Sequence, residues 1–581
     1  MLPLYFGPKE RPLFGQFHSA EARPRGPGVL IVNPFGHEEL HAHRAERHLA
    51  ERLAAAGFAT LRFDLDATGN SAGDDRDGDR LTAWKASIAT AAEELRARTG
   101  SGSIVLAGLR AGALLALSVA AEVEAERLVL WMPVQSGRMH ARELLRLHRI
   151  LFPRSKAEGA PPEDEEALGF VLRKDTVAAL GKLDLAAITD RPAEGCFVVG
   201  GNENPTEEKL LDRLRELGSE VDYVHLPGHP FLVTDPHKSV VPSEMIAAIV
   251  DHLSSKYPSP PGTLSRPPRS PRPEIVTGGP GGEEAWSFGS PEPRFGVLSR
   301  PAAAPGDKPA IVLMNAGSIH HIGPNRAFVR MARRWADLGY PVLRMDLSGI
   351  GESPVHTGCI ENVPYPRDAV ADAQAAMTAL EKHGVARRFI LTGLCSGADI
   401  AFRAAVIDKR VAAAWMINPQ AFHFPSSDSL KEFMRHELEA QYYKAGMFDL
   451  DRWKKLVRGE VDLVHLAEVI RGKAVSSVRR RLARVLGPRA PEADDAPEAR
   501  DVIRDLRAIA ERGADTFLLC SEDDPGLVYL LKYFGKGLDD LARVPGFKKE
   551  IVKGVDHTFT PVWSQDMLSD MLTDHLTKRH P

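Results

Sequence analysis

The amino-acid sequence contains the same pattern twice. The run VLIVN at 29–33 returns as IVLMN at 311–315, and LRFDL at 61–65 returns as LRMDL at 343–347. Both pairs are 282 positions apart. A constant offset over this distance indicates a duplicated domain rather than chance similarity. The 581 residues therefore divide into two similar halves, each within the size of one α/β domain.

A proline-rich stretch separates the halves. Residues 255–273 contain seven prolines in nineteen positions, and the glycine-rich TGGPGG follows and ends at Gly282. Proline lacks a backbone donor and favours extended geometry, so this composition is typical of a semi-rigid linker. We predict a first domain over 1–254, a linker over 255–285 and a second domain over 286–581.

Within each half, short apolar runs alternate with stretches of helical period such as His43–Ala56 and Asn325–Leu338. Runs that are apolar on both faces are typical of strands buried between helix layers. The sequence therefore predicts two tandem α/β domains, each with a mostly parallel sheet between layers of helices.

Charge and composition exclude several classes of protein. A formal net charge of −4 argues against a globally basic nucleic-acid binder. The longest apolar stretch, 104–121, is interrupted by Arg110 and does not read as a membrane span. The start of the chain lacks the basic and then apolar blocks of a secretory signal, so we expect a cytoplasmic protein. Four scattered cysteines without CxxC spacing indicate neither a disulfide framework nor a zinc site.

In the second half, a predicted strand at 388–392 runs into Gly393-Leu394-Cys395-Ser396-Gly397, and a helix-compatible stretch follows. A sharp turn from strand to helix strains the residue at its centre, and glycines two positions away on each side avoid a clash. This register makes Cys395 the central residue and the candidate nucleophile.

With this turn, the second half resembles α/β-hydrolases that carry a cysteine in the nucleophile elbow, such as dienelactone hydrolases and polyhydroxyalkanoate synthases. The resemblance implies the chain order nucleophile, acid, histidine. Asp524, in the loop after the TFLLC strand, and His557, in GVDHTF, follow Cys395 in this order. Glu522 and Asp523 are adjacent and remain alternatives for the acid.

The resemblance also implies an oxyanion hole of backbone amides. One amide is expected from Ser396 and one from Ala316 or Gly317, in the loop after the IVLMN strand. Asn325 and Arg326, farther along that loop, are predicted to line the substrate pocket. No cofactor and no metal are expected.

The matching turn of the first half is Gly108-Leu109-Arg110-Ala111-Gly112. A guanidinium stays protonated and cannot attack a carbonyl, so Arg110 excludes covalent acyl catalysis there. Asn204 stands where the second half has Asp524, with Glu203 beside it, whereas His229 is kept.

GLRAGALLA, with WMPV at 131–134 and FDLDATGNSAGD at 63–74, makes this half resemble exosortase-associated hydrolases, which can carry the same arginine. We interpret the first half as a degenerate scaffold. The alternative is that Arg110 binds an anionic group such as phosphate or carboxylate.

Four histidines, at positions 37, 41, 43 and 48, lie close together in the first half. A metal site is conceivable there, but no HExxH motif and no completing carboxylate is evident. We interpret these side chains as solvated or pocket-lining.

The two copies differ most between the nucleophile position and the histidine. In this fold an insertion there builds the cap over the nucleophile, and we predict a cap at about 420–510. It contains an aromatic segment at 441–453 and seven Arg or Lys between 471 and 489. The basic segment is either a solvated helix face or a guide for an anionic acyl carrier such as coenzyme A or an acyl carrier protein.

The sequence thus predicts a cysteine-nucleophile acyl hydrolase or acyltransferase for esters, thioesters or lactones, with a Cys395–His557–Asp524 triad. Two alternatives stay open. One is a peptidase or amidase of the serine aminopeptidase-like type, and the other is a non-catalytic binding or scaffold protein.

Overall fold

Each half of the chain builds its own sheet in the computed structural model, which describes residues 1–21, 24–152, 164–201, 205–227, 236–259, 274–304, 306–366, 368–420 and 497–581. Both sheets are mixed and carry helices on their faces. The predicted α/β architecture with two sheets is confirmed.

The elements of the first half are, in chain order, β1 (Leu2–Phe6), β2 (Leu13–His18), β3 (Gly28–Val32), α1 (His37–Ala55), β4 (Thr60–Phe63), α2 (Arg80–Thr99), β5 (Ile104–Leu109), α3 (Ala111–Val119), β6 (Arg127–Trp131), α4 (Gly137–Leu151), β7 (Asp164–Ala167), β8 (Phe170–Arg173), α5 (Lys174–Leu180), β9 (Gly195–Gly200), α6 (Pro205–Glu216), β10 (Glu220–His225) and α7 (Ser243–Lys256).

The elements of the second half are β11 (Ile275–Thr277), β12 (Glu284–Phe288), β13 (Arg294–Ser299), β14 (Ala310–Met314), α8 (Ala327–Asp337), β15 (Val342–Met345), α9 (Ala369–Lys382), β16 (Phe389–Leu394), α10 (Ser396–Ile407), β17 (Val411–Ile417), α11 (Pro497–Glu511), β18 (Asp515–Ser521), α12 (Pro525–Tyr533), α13 (Gly535–Leu541), β19 (Phe547–Val552) and α14 (Val562–Arg579).

The two sheets share one strand order over eight strands, and the second sheet has an additional edge strand, β11. The order is β1-β2-β4-β3-β5-β6-β9-β10 in the first half and β11-β12-β13-β15-β14-β16-β17-β18-β19 in the second. In both, the early strands pair antiparallel and the strands from β4 or β15 onward run parallel. Because parallel strands end on one side of a sheet, the loops after β14, β16, β18 and β19 meet at a common edge.

Burial explains why the central strands read as continuous apolar runs. All five residues of β3 and all five of β14 are buried, since helices cover both faces of each sheet. Each sheet has a hydrophobic cluster on either side. The apolar stripe of α8, which includes Phe328, Met331 and Trp335, closes one of these layers.

Part of the predicted linker belongs to the second sheet. Residues from Ile275 onward pair as β11 with β12, so only 260–273 of the predicted 255–285 lies outside the described residues. The predicted cap is outside them over 421–496, including the aromatic and basic segments. Its last part, from Pro497, forms α11, whose Leu506 and Ile509 are buried in the core.

The two halves contact each other through equivalent side chains. Arg62 of the first half pairs with Glu352 of the second, and Arg344 of the second half donates from Nη1 to Oδ1 of Asn70 at 2.7 Å. Positions 62 and 344 match in the repeat, and so do 70 and 352. The buried arginine of each copy therefore reaches the same place on the other copy.

Candidate active site

The turn after β16 places Cys395 between strand and helix. β16 ends at Leu394, α10 begins at Ser396, and Cys395 has a φ of 59°. A Cβ on Gly393 would lie 2.5 Å from the carbonyl carbon of Gly397, and one on Gly397 would lie 2.8 Å from the oxygen of Asn315. Neither space admits a side chain, which explains both glycines. The strained position is one at which elbow nucleophiles are found.

His557 and Asp524 meet beside this turn. His557 Nδ1 lies 2.5 Å from Oδ2 of Asp524, which is only 2% exposed. Asp524 Oδ1 accepts from the amide of Gly526 at 2.7 Å, at the start of α12, and from Nε2 of Gln420 at 3.0 Å. Among Glu522, Asp523 and Asp524, the residue that contacts the imidazole is Asp524.

Cys395 acts on the protonation of the His557 ring. Burial disfavours the imidazolium, but the Cys395 thiolate and the Asp524 carboxylate outweigh it and hold the pKa of His557 well above its usual value. A thiol with a base that a carboxylate orients is the arrangement by which a sulfur nucleophile is activated. The three residues are of the types that a nucleophile, a base and an orienting acid require.

The predicted oxyanion loop is tied to the elbow. The amide of Gly317 donates to Oγ of Ser396 at 3.0 Å, and Ser396 itself is fully buried. Ala316, also buried, precedes Gly317 in the loop after β14. Since Ser396 opens α10, its amide is one of the helix N-terminal donors without an intrahelical acceptor. Ser396, Ala316 and Gly317 therefore lie together, with the Gly317 amide engaged by the Ser396 hydroxyl.

The predicted pocket residues Asn325 and Arg326 lie elsewhere. The Arg326 guanidinium donates to the carbonyl oxygens of Gly69, Ser71 and Gly73 in the first half, at 2.8, 2.7 and 3.0 Å. The Asn325 side chain fills the space above Gly169, also in the first half, where a Cβ would lie 2.6 Å from Asn325 Cγ. The structure therefore assigns both residues to the contact between the halves, a correction to the sequence prediction.

Tyr365 is a site residue that the sequence analysis missed. Its hydroxyl lies 3.9 Å from Sγ of Cys395, and burial with the nearby Cys395 and Asp399 raises its pKa well above the usual value. Tyr365 stands between two prolines in a long loop after β15. Neither spacing nor periodicity signals such a position. A tyrosine flanked by prolines, which hold a loop backbone stiff, was the one available cue.

Asp399 was missed as well. It lies one turn into α10 from the elbow, is 5% exposed, and its carboxylate is 3.5 Å from Nη1 of Arg403. Burial raises its pKa to about 7, although Arg403 acts against the shift.

At the corresponding turn of the first half, Arg110 also has a positive φ, 54°, and lies between β5 and α3. Its Nη2 pairs with Oε1 of Glu38 at 3.0 Å, and Glu38 is 3% exposed. Burial disfavours the charged form of Glu38, but Arg110 and His140 outweigh it and lower its pKa. The arginine therefore has an internal carboxylate as its partner. Glu203, Asn204 and His229 lie outside the described residues.

The four histidines at positions 37, 41, 43 and 48 contact different partners. His37 and His41 contact each other edge to face, with ring centroids 5.4 Å apart. His43 lies 2.9 Å from Glu352, and His48 lies 2.9 Å from Glu361, both in the second half. Among the described residues, no group of three or more His, Cys, Asp or Glu is placed to hold a metal ion.

The other cysteines are not part of this site. Cys359 is exposed, and burial raises the pKa of Cys196 to about 11 and that of Cys520 to about 12. Buried thiols of this kind are inert. Among the helices of the described ranges, none has the length and apolar character to cross a membrane.

One family of known proteins matches part of the second half. The family model for serine aminopeptidases, S33, matches residues 306–441. Est1E from Butyrivibrio proteoclasticus, solved with ferulic acid, is 18% identical, with a TM-score of 0.34 over 44% of this chain and 98% of its own. An α/β serine hydrolase without lid from Xanthomonas campestris is 18% identical, with a TM-score of 0.30 over 45% and 96%.

Proline iminopeptidase from Mycobacterium smegmatis is 13% identical, with a TM-score of 0.32 over 44% of this chain and 98% of its own. No curated protein matches the chain. The strand order, the strained elbow at Cys395 and the family match over 306–441 identify an α/β-hydrolase fold whose second half is similar to serine aminopeptidases.

Proposed function

We propose that the second half is a cysteine-nucleophile acyl hydrolase or acyltransferase that acts on an ester, thioester or lactone. The observation that carries the proposal is the arrangement of Cys395, His557 and Asp524. The His557 ring meets the buried Asp524 carboxylate at 2.5 Å, and Cys395 and Asp524 both raise the pKa of that ring against the effect of burial. A thiol, a base and a group that orients the base are what covalent acyl catalysis requires.

In the acylation step, the Cys395 thiolate attacks the carbonyl carbon and a C–S bond forms. Backbone amides at the elbow, with Ser396 as one donor, stabilise the oxyanion. When the oxyanion collapses, the bond to the leaving alkoxide or thiolate breaks and His557 gives that group its proton. The products are a thioester on Cys395 and a neutral imidazole.

In the deacylation step, neutral His557 takes a proton from water or from a bound alcohol or amine. That nucleophile attacks the thioester carbonyl, and Cys395 leaves as thiolate. Water as the acceptor gives hydrolysis, and an alcohol or amine gives acyl transfer. Asp524 holds the ring orientation in both steps and stabilises the imidazolium.

The family match favours a second candidate, a peptidase or amidase. The model that matches 306–441 describes serine aminopeptidases. The same triad would then attack an amide carbonyl, and His557 would protonate a leaving amine. A sulfur nucleophile is less suited to this step, because thiolate leaves the tetrahedral intermediate more readily than an amine does.

For the acyl substrate, the sequence suggests a carrier-bound form such as an acyl-coenzyme A or an acyl carrier protein. The suggestion rests on the basic segment 471–489, which lies outside the described residues. Turnover of a free ester and of a carrier thioester with the same acyl group can be compared, and faster turnover of the thioester would indicate a carrier-bound substrate.

The experiment compares an acyl-coenzyme A, a p-nitrophenyl ester, a lactone and an aminoacyl p-nitroanilide, each with and without an amine acceptor. Wild type, Cys395→Ala and the matched control Cys359→Ala, which removes an exposed thiol, are assayed together. We expect ester or thioester turnover in wild type and Cys359→Ala, and none in Cys395→Ala.

Intact mass gives a second readout. An acyl adduct is expected on wild type and on Cys359→Ala, to form slowly on His557→Ala and to be absent from Cys395→Ala. Turnover of the anilide alone would establish the amidase instead. No adduct and no turnover on any substrate would leave the non-catalytic scaffold as the better description.

A further inference from the structure

The loop that carries Tyr365 is held by the first half of the chain. Three side chains of α1 converge on the Glu361 carboxylate: Arg44 through Nε at 3.2 Å, His48 through Nε2 at 2.9 Å, and Arg47 through Nη2. We call Arg44, Arg47, His48 and Glu361 the clamp. Its members are largely shielded from water, which strengthens charge-assisted contacts.

The next residue, Asn362, adds a neutral contact between the halves. Its Nδ2 donates to the carbonyl of Pro236 in the first half at 2.8 Å. Its own carbonyl accepts from Oγ of Ser318 at 3.2 Å, in the loop whose Gly317 amide contacts Ser396. Asn362 therefore connects the first half to the loop that approaches the elbow.

Tyr365 follows only three residues after Asn362. Three residues span at most about 10 Å of chain, so fixing Asn362 restricts where the tyrosine ring can lie. The Tyr365 hydroxyl reaches 3.9 Å from the Cys395 sulfur. A continuous path of contacts thus leads from α1 of the first half to the candidate nucleophile.

The clamp depends on its single shared carboxylate. Burial and the neighbouring Arg47 both lower the pKa of Arg44, which shows that two guanidinium groups are crowded together. Glu361 lies between them and neutralises part of this charge. Without it, two like charges would face a loop that has lost its anchor, and the loop would move away from α1.

We propose that the first half acts as a positioning domain for the second, because its clamp holds the 361–365 loop so that the Tyr365 hydroxyl donates to the Cys395 thiolate. The proposal rests on the catalytic function proposed above for Cys395. Tyr365 is then a catalytic residue, and the four clamp residues are positioning residues. The first half, which has an arginine at the nucleophile position, thus acts on the second half through side chains of α1.

The test uses full-length variants and a substrate that wild type turns over. Tyr365→Phe removes the hydroxyl. Glu361→Gln and the double variant Arg44→Ala/Arg47→Ala break the clamp from opposite sides. Arg52→Ala is the control on α1, since Arg52 is exposed on the same helix. Arg76→Ala is the control for the contact between halves, since Arg76 pairs with Asp566 at 2.6 Å in an exposed ion pair.

We expect Tyr365→Phe to lower kcat roughly tenfold or more with KM changed less than about twofold, because one hydrogen bond to a charged group is lost. Glu361→Gln and Arg44→Ala/Arg47→Ala should lower kcat by a similar factor, and both controls should keep wild-type kcat. Adding Glu361→Gln to Tyr365→Phe should lower kcat by less than about twofold more, because the two changes act on one contact.

Two outcomes would overturn the positioning role while leaving the catalytic proposal intact. In one, both clamp variants keep wild-type kcat although Tyr365→Phe is impaired. In the other, Arg76→Ala loses as much activity as the clamp variants, which would show a general effect of loosening the halves. A Tyr365→Phe enzyme with full activity would also overturn it. Full activity in Cys395→Ala is the separate result that removes the proposed function itself.

Discussion

Phe14 and Phe295 face each other across the boundary between the two halves, with ring centroids 6.3 Å apart. They are the second residues of β2 and β13, and each amide donates at 2.9 Å to a matching serine, Ser71 or Ser353. Equivalent residues meet in this way when two copies are related by an approximate two-fold axis. The chain is therefore arranged like a homodimer whose subunits have been joined and have since diverged.

The buried pair across this boundary should contribute to stability. Glu352→Gln leaves the Arg62 guanidinium, 5% exposed, without its ionised partner, and we expect a loss of about 3 kcal/mol in the free energy of unfolding. Asp574→Asn, which removes an exposed pair with Lys578, should change it by less than about 0.5 kcal/mol. Urea titrations of both variants measure this, and equal midpoints would contradict it.

Asp524 should be essential to the triad and Asp523 should not. Asp524→Asn replaces an acceptor of the His557 ring by an amide that cannot stabilise the imidazolium, and kcat should fall roughly 10³–10⁴-fold. Asp523→Asn alters the exposed neighbour and should leave kcat unchanged. A comparable loss in both variants would show that the loop, rather than the Asp524 carboxylate, matters.

The elbow of the first half should be important for stability and not for chemistry. Arg110→Ala leaves Glu38 buried without its cation, and we expect a loss of about 3–5 kcal/mol of stability. Adding Glu38→Gln should restore part of it, because the unpaired charge is removed. Turnover per folded molecule should equal that of wild type in both. Reduced turnover in a fully folded Arg110→Ala protein would point to a ligand at this position.

Acid should weaken the second half through Glu283. Burial disfavours its charge, but Arg333 and Arg344 outweigh burial and lower its pKa to about 2. Because the folded pKa is depressed, the stabilisation is complete above the ordinary value near 4.5 and is lost as pH falls from 4.5 to 2. The loss is on the order of 3 kcal/mol.

Urea titrations at several pH values in this window provide the measurement. Glu283→Gln should flatten the dependence, whereas the exposed control Glu122→Gln should follow wild type. If the wild-type free energy of unfolding stays constant from pH 4.5 to 2, Arg333 and Arg344 do not stabilise the ionised form of Glu283.

The features predictable from sequence were those encoded locally. The constant offset of the repeat and the glycines around Cys395 can be read from short motifs, and Asp524 and His557 were proposed from the resemblance to α/β-hydrolases. The choice of Asp524 over Asp523 needed the structure, because neighbouring loop residues differ only in the direction of their side chains. Fold class followed from burial on both faces of the strands.

The contact between the halves was not predictable in this way. Arg326 and Asn325 follow the oxyanion loop in sequence, and a single hydrolase domain would expose them to its pocket. They are instead covered by the other copy, which no pattern within one copy reports. Tyr365 was missed for the same reason, since its position depends on Glu361 and on a helix more than 300 residues earlier.

The covalent connection through residues 260–273 has a consequence for assembly. A tether of this length gives two partners an effective local concentration on the order of millimolar, so their association is intramolecular and insensitive to dilution. Two separate subunits would form both identical and mixed pairs, whereas one chain always places the copy with Arg110 beside the copy with Cys395. Fusion therefore keeps the two different copies at a ratio of one to one, and the copy with Arg110 can diverge in sequence without losing its partner.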